Sequence, residues 1–73
     1  MREVKITKEP IELYKLLKFE SLATSGGHAK HVISEGQVLV NNKIETRKRR
    51  KIVAGDIIEF QGEKILLQLK SAL

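Results

Sequence analysis

The spacing of apolar residues changes period along this chain. Arg2-Glu3-Val4-Lys5-Ile6 alternates polar and apolar side chains, the two-residue period of a half-buried strand. From about Pro10 to Phe19 the spacing lengthens, and Leu13, Leu16 and Leu17 share one face of a helix. Pro10 suits the first turn of that helix, where its missing N–H costs nothing. Ser21 to Gly27 breaks the pattern. Thr24 or Ser25 can then cap a second helix, from about Gly27 to Glu35, with Ala29, Val32 and Ile33 as its buried stripe. His28, Lys30 and His31 fall mainly on its other faces. Gly36 fits the stop position, where a left-handed conformation is cheap for glycine.

Beyond Gly36 the pattern is that of strands. Gln37-Val38-Leu39-Val40 and Lys43-Ile44-Glu45-Thr46 flank Asn41-Asn42, and asparagine tolerates the positive φ of a tight hairpin turn. Ile52-Val53 leads to a turn at Gly55-Asp56. Ile57 to Phe60 and Lys64 to Leu69 read as two further strands joined by Gln61-Gly62-Glu63. The predicted order is β-α-α-β-β-β-β. It corresponds to an α+β fold with two short helices packed on one face of a small, mostly antiparallel sheet. Phe19 and Phe60 are expected in its core.

At 73 residues the chain has room for one domain, taken as residues 1–73. It contains no cysteine, which removes disulfides and thiolate metal sites. No apolar run approaches the ~20 residues of a membrane span. The first residues lack the hydrophobic stretch of a signal peptide, so a cytoplasmic protein is the default expectation. The net charge of +5 adds a stronger constraint, because its distribution is uneven. Arg47, Lys48, Arg49, Arg50 and Lys51 are five consecutive cations; without them nine basic residues face nine acidic ones. A concentrated positive segment on an otherwise neutral body suits a polyanion.

Catalytic signatures are missing from the sequence. There is no P-loop, no dinucleotide fingerprint and no metal-ligand set. Ser25 and His28 lie close in sequence, but no acid is evidently placed to complete a triad. His28 and His31 could begin a zinc site, yet two ligands are too few. No metal, cofactor or enzymatic activity is therefore expected.

Several residues recur at a recognisable spacing. The first helix carries Leu13, Lys15 and Leu17. Ser25 precedes Ala29-Lys30 and Ile33 in the second. Gly36, Val38, Val40 and Asn41 follow, and then Gly55-Asp56-Ile57-Ile58. This ordered set, over about residues 11–60, resembles the S-four-like RNA-binding domain, also called the alpha-L motif. The stretch from Glu45 to Gly55 is similar to a subgroup of small bacterial proteins that consist of little but this domain. The chain departs from the family pattern at Glu12 and Tyr14, where Arg and Asp are usual. It departs again at Gly26, where many members have Arg. The resemblance implies an RNA-binding module, and the chain is expected to be a monomer with no membrane partner. Its expected partner is structured RNA, most simply ribosomal RNA or a ribosome-associated particle, with transfer RNA as another candidate.

Arg47, Lys48, Arg49, Arg50 and Lys51 are the main candidate phosphate contacts. Arginine offers a planar fork of donors, and lysine a flexible point charge. The start of the second helix is the next candidate. Gly26 and Gly27 let a phosphate approach the backbone, Ser25 can donate a hydrogen bond or cap the helix, and Lys30 lies one turn further on. His28 could act as a donor or stacking plane, and Lys15 matches a family position. With few aromatics, recognition is expected to address folded shape and backbone rather than base sequence. Two other classes compete. One is a duplex-DNA binder, although His28, Lys30 and His31 are a poor set for major-groove reading. The other is a basic adaptor that docks on a protein or an anionic membrane. The backbone-contact reading predicts that log affinity for duplex-like RNA falls with log salt at a slope of about −4 for ~4 to 5 phosphate contacts. Arg49→Ala should weaken all RNAs alike and reduce that slope by about one, as read from a salt titration.

Overall fold

The computed structural model describes residues 1–70, so the last three residues of the predicted 1–73 domain lie outside the described part. Seven strands and two helices follow one another as β1 (Arg2–Ile6), β2 (Ile11–Glu12), α1 (Leu13–Phe19), α2 (Gly26–Ser34), β3 (Val38–Val40), β4 (Lys43–Ile44), β5 (Lys51–Ile52), β6 (Ile57–Phe60) and β7 (Glu63–Leu69). Five strands form one sheet in the order β1-β7-β6-β3-β4, and β2 and β5 form a separate two-stranded ribbon. All pairs are antiparallel except β1 with β7. The fold is α+β, as the periodicity predicts.

The two-residue period places one set of side chains on the inner face of the sheet. Val38 and Val40 of β3, Ile58 and Phe60 of β6, Ile65 and Leu67 of β7 and Val4 of β1 are all buried. They meet Leu13, Leu16 and Leu17 from α1 and Ala29, Val32 and Ile33 from α2 in a single core. Gly36 has φ +74 and ends α2 as expected. Asn41 and Asn42 both have positive φ, 53° and 68°, which gives the two-residue turn its handedness. Asn41 does more than turn. Its side chain donates to Asp56 (3.0 Å) and accepts from the Ile57 N–H (2.9 Å), which ties the β3–β4 turn to the loop before β6.

Two expectations need correction. α1 starts at Leu13, not Pro10. The Glu9–Pro10 peptide is cis, and the next two residues are extended because Ile11 pairs with Ile52 and Glu12 with Lys51. Backbone partners from a distant segment therefore outcompete local helix propensity. Phe19 is 65% exposed instead of belonging to the core. It falls outside the face defined by Leu13, Leu16 and Leu17, and α1 ends there, so no further turn brings it inward. Strand lengths also differ. β4 stops at Ile44 because Glu45 turns inward, and the ribbon of β2 (Ile11–Glu12) and β5 (Lys51–Ile52) adds two strands that the predicted order lacks.

Urea denaturation should separate the two phenylalanines. Phe60→Ala empties a site that is 1% exposed and should lower the unfolding free energy by about 3–5 kcal/mol. Phe19→Ala should change it by no more than about 0.5 kcal/mol.

Candidate nucleic-acid interface

The basic segment is a turn built around a buried carboxylate. Glu45 is 6% exposed. Its Oε2 accepts from the Arg47 backbone N–H and from Arg47 Nε, each at 2.9 Å. Its Oε1 accepts from Arg47 Nη2 at 3.1 Å and Arg50 Nη1 at 2.6 Å. Such charge-assisted bonds are the strong ones, and Arg47 makes a forked pair of them. They hold the Glu45 carboxyl well below its ordinary range, at about 2. The Arg47 side-chain bond contributes most, burial opposes it, and the Arg47 backbone bond, the Arg50 bond and the Arg47 charge add to it.

The same turn positions α1. The Arg50 N–H bonds the Arg47 carbonyl (3.1 Å), which closes the turn. The first helical N–H groups need acceptors, and Glu12 supplies no side-chain cap. The turn supplies them instead: Leu13 N–H donates to the Arg50 carbonyl (2.9 Å) and Tyr14 N–H to the Lys48 carbonyl (3.1 Å). With β2 paired to β5, the basic segment and the start of α1 form one unit.

The five cations are consequently not equivalent. Arg47 and Arg50 turn donors toward Glu45. Lys48, Arg49 and Lys51 are exposed, with Lys48 and Arg49 at the tip of the turn. Arg49 lies 3.9 Å from Glu12, which also takes Lys15 at 3.2 Å. Both cations keep about half or more of their side-chain surface in solvent, 69% and 47%.

α2 joins this surface through Tyr14. The ring of Tyr14 lies 4.7 Å from Lys30 Nζ and 5.9 Å from Lys15 Nζ. A Cβ added at Gly26 would sit 4.0 Å from Tyr14 Cε2, so the ring borders the first residue of α2. Ser25, rather than Thr24, caps that helix by accepting from the His28 N–H at 3.0 Å. His28 Nδ1 in turn accepts from the Thr24 N–H at 3.1 Å, which assigns the remaining proton of neutral His28 to Nε2. Gly27 is exposed beside the cap. Lys15, Lys30 and the five cations of the turn are thus linked by contacts through Glu12, Tyr14 and Glu45. Seven cations and two carboxylates make up this region, which accounts for the net charge of +5. Among the described residues no three His, Cys, Asp or Glu side chains are grouped as metal ligands would be.

Three of these residues were not among the site residues expected from the sequence: Glu45, Glu12 and Tyr14. Glu45 left one usable trace, an acid placed two and five residues before arginines that can fold back on it.

The comparison with known proteins agrees with this architecture. The model of the S4 domain matches residues 4–68. The chain belongs to the S4 domain family. It is 47% identical over 66 residues to YbcJ of Escherichia coli (strain K12), whose name marks it as a candidate RNA-binding protein; the match spans 89% of this chain and 94% of YbcJ. It is 41% identical over 59 residues to RlbA of Bacillus subtilis (strain 168), named a probable ribosome maturation protein, covering 81% of this chain and 83% of that one. The solution structure of YbcJ, described as revealing an alpha-L motif involved in RNA binding, superposes with a TM-score of 0.70 at 45% identity, over 93% of this chain and 87% of that one.

A carboxyl group whose folded pKa lies below its unfolded value adds stability above the unfolded pKa and loses it as pH falls. For Glu45 that window runs from about 4.5 down to about 2. At pH 7, Glu45→Gln should lower the unfolding free energy by about 1.5–3 kcal/mol, the scale of a hydrogen bond to a charged group. The gap between the two proteins should close as pH falls through that window, as followed by urea denaturation at stepped pH.

Proposed function

We propose that this protein is a non-catalytic, monomeric module that binds structured RNA in the cytoplasm, with ribosomal RNA or a ribosome-associated particle as its target. The observation that carries the reading is the cationic turn braced by Glu45 and joined to both helices, which concentrates the net charge on one surface. Five like charges in sequence repel one another, so ordering them in a turn makes sense when the resulting surface has an anionic partner. The name and structural description of YbcJ support RNA as that partner. The name of RlbA supports a ribosomal setting.

In this reading the basic segment divides its labour. Arg47 and Arg50 maintain the turn through Glu45 and add background charge. Lys48, Arg49 and Lys51, with Lys15 and Lys30 beside them, contact phosphates. Ser25, Gly26, Gly27 and His28 form the border at the start of α2, where Gly26 and Gly27 leave the backbone open and His28 Nε2 can donate. About five such contacts give the salt dependence expected for backbone binding. A surface of this kind addresses the shape and phosphate spacing of folded RNA, not the major-groove edges of duplex DNA.

The test is a salt series with a structured ribosomal RNA fragment, a single-stranded RNA and duplex DNA. Structured RNA should bind tightest near physiological salt. The variant with Lys48, Arg49 and Lys51 all changed to Ala should lose affinity and reduce the salt slope by nearly three, at ~0.9 per contact, with its thermal midpoint unchanged. Arg50→Ala should instead lower the thermal midpoint and shift the slope by one at most. Equal binding of wild type and triple variant, with equal slopes, would falsify the proposal.

A further inference from the structure

Tyr14 occupies a peculiar position on this surface. It is the only tyrosine of the chain, which has no tryptophan. The residue is half-buried and packs against the hydrophobic core. Its backbone N–H donates to the Lys48 carbonyl, which ties the Tyr14 backbone to the tip of the basic turn. Lys30 and Lys15 place their ammonium groups 4.7 and 5.9 Å from its centroid. The residue beside it in α2 is glycine, and even an added Cβ there would stand 4.0 Å from the ring edge, ordinary contact distance. The ring is thus oriented by the core, bordered by backbone without a side chain, and flanked by the cations assigned to phosphates.

Resting on the RNA-binding reading, we propose that Tyr14 is a stacking platform for one unpaired nucleobase, so that the preferred RNA carries an extruded or loop nucleotide next to the backbone held by the basic turn. An aromatic ring accepts any base, because every base presents a π face. A base must leave its own stack to reach the ring, which is easiest at a bulge or loop. Without RNA, the Lys30 ammonium covers the ring by a cation–π contact. Its flexible stem lets it move to the phosphate of the incoming nucleotide, which frees the ring for the base. Tyr14 thereby adds a preference for a local RNA feature to a surface that otherwise senses charge and shape.

The chain's single tyrosine makes its own reporter, since its emission comes from Tyr14 alone. The probes are a short RNA stem with one unpaired adenosine, the same stem fully paired, and the same stem with an abasic residue at the unpaired position. Emission is corrected for RNA absorbance with free tyrosine amide. The bulged stem should quench Tyr14 and bind roughly tenfold tighter than the paired stem, the scale of stacking one base on an aromatic ring. The abasic stem should lose both effects. Tyr14→Phe should keep the preference, whereas Tyr14→Leu, which retains bulk against the core, should bind the bulged and paired stems equally. Retention of the preference by the leucine variant, or binding of the bulged stem without quenching, would overturn the stacking role. Equal binding of all three stems by wild type would overturn it while leaving RNA binding intact. Failure of wild type to bind any stem would overturn RNA binding and the stacking role together.

Discussion

The ion triad of Glu45, Arg47 and Arg50 is the interaction on which the rest of this surface depends. A buried carboxylate is costly unless its lone pairs are filled, and removing one partner of such a pair is more damaging than never having built it. Here four donors fill the carboxylate, three from Arg47 and one from Arg50. Because both arginines come from the same short segment, satisfying Glu45 forces that segment to curl. The curl exposes the carbonyls of Lys48 and Arg50 to the start of α1. One polar constraint therefore sets the shape of the basic turn and the entry angle of a helix whose other face belongs to the core.

The triad also alters the electrostatics of the turn. Five adjacent cations would favour an extended, disordered chain if left alone. Glu45 offsets part of that repulsion from within, and Glu12, between Lys15 and Arg49, offsets more at the edge. The surface stays strongly positive because seven cations outnumber these two acids. It can be ordered before any polyanion arrives, which lowers the entropy lost on binding. The two carboxylates and the seven cations are thus parts of one arrangement, in which a few negative charges allow many positive ones to be held close together.

The core elements were legible in the sequence because each declares itself locally. Alternation marks Val38/Val40, Ile58/Phe60 and Ile65/Leu67, and helical spacing marks Leu13/Leu16/Leu17 and Ala29/Val32/Ile33. Features set by distant partners were not legible. The first helical residue is decided by carbonyls more than thirty positions away, so Pro10 was a misleading signal. The parallel pairing of β1 with β7 joins the two ends of the described chain and leaves no local trace. Phe19 was misplaced because aromatic character suggests burial, whereas its helical phase and the end of α1 decide otherwise. Most of the candidate site was visible as a run of charge, but its division into braced and free cations was not. An acid after a β-strand ordinarily reads as solvent-facing, and only the two arginines folding back make Glu45 an interior residue.

That division follows from the chemistry of the side chains. Arginine presents a planar fork matched to a carboxylate, and Arg47 uses two of its nitrogens on Glu45 in that way. Lysine has no such fork and is strongly hydrated, which suits Lys48 and Lys51 to their exposed positions. Arg49 is the arginine of the run whose side chain is directed away from Glu45, toward the Glu12 edge, and it leaves most of its surface to solvent. The order Arg-Lys-Arg-Arg-Lys is therefore not a uniform block of charge. Its first and fourth residues build the turn and the other three are displayed by it, and a run of equal charge with lysine at those two positions would lack the forked braces on the carboxylate.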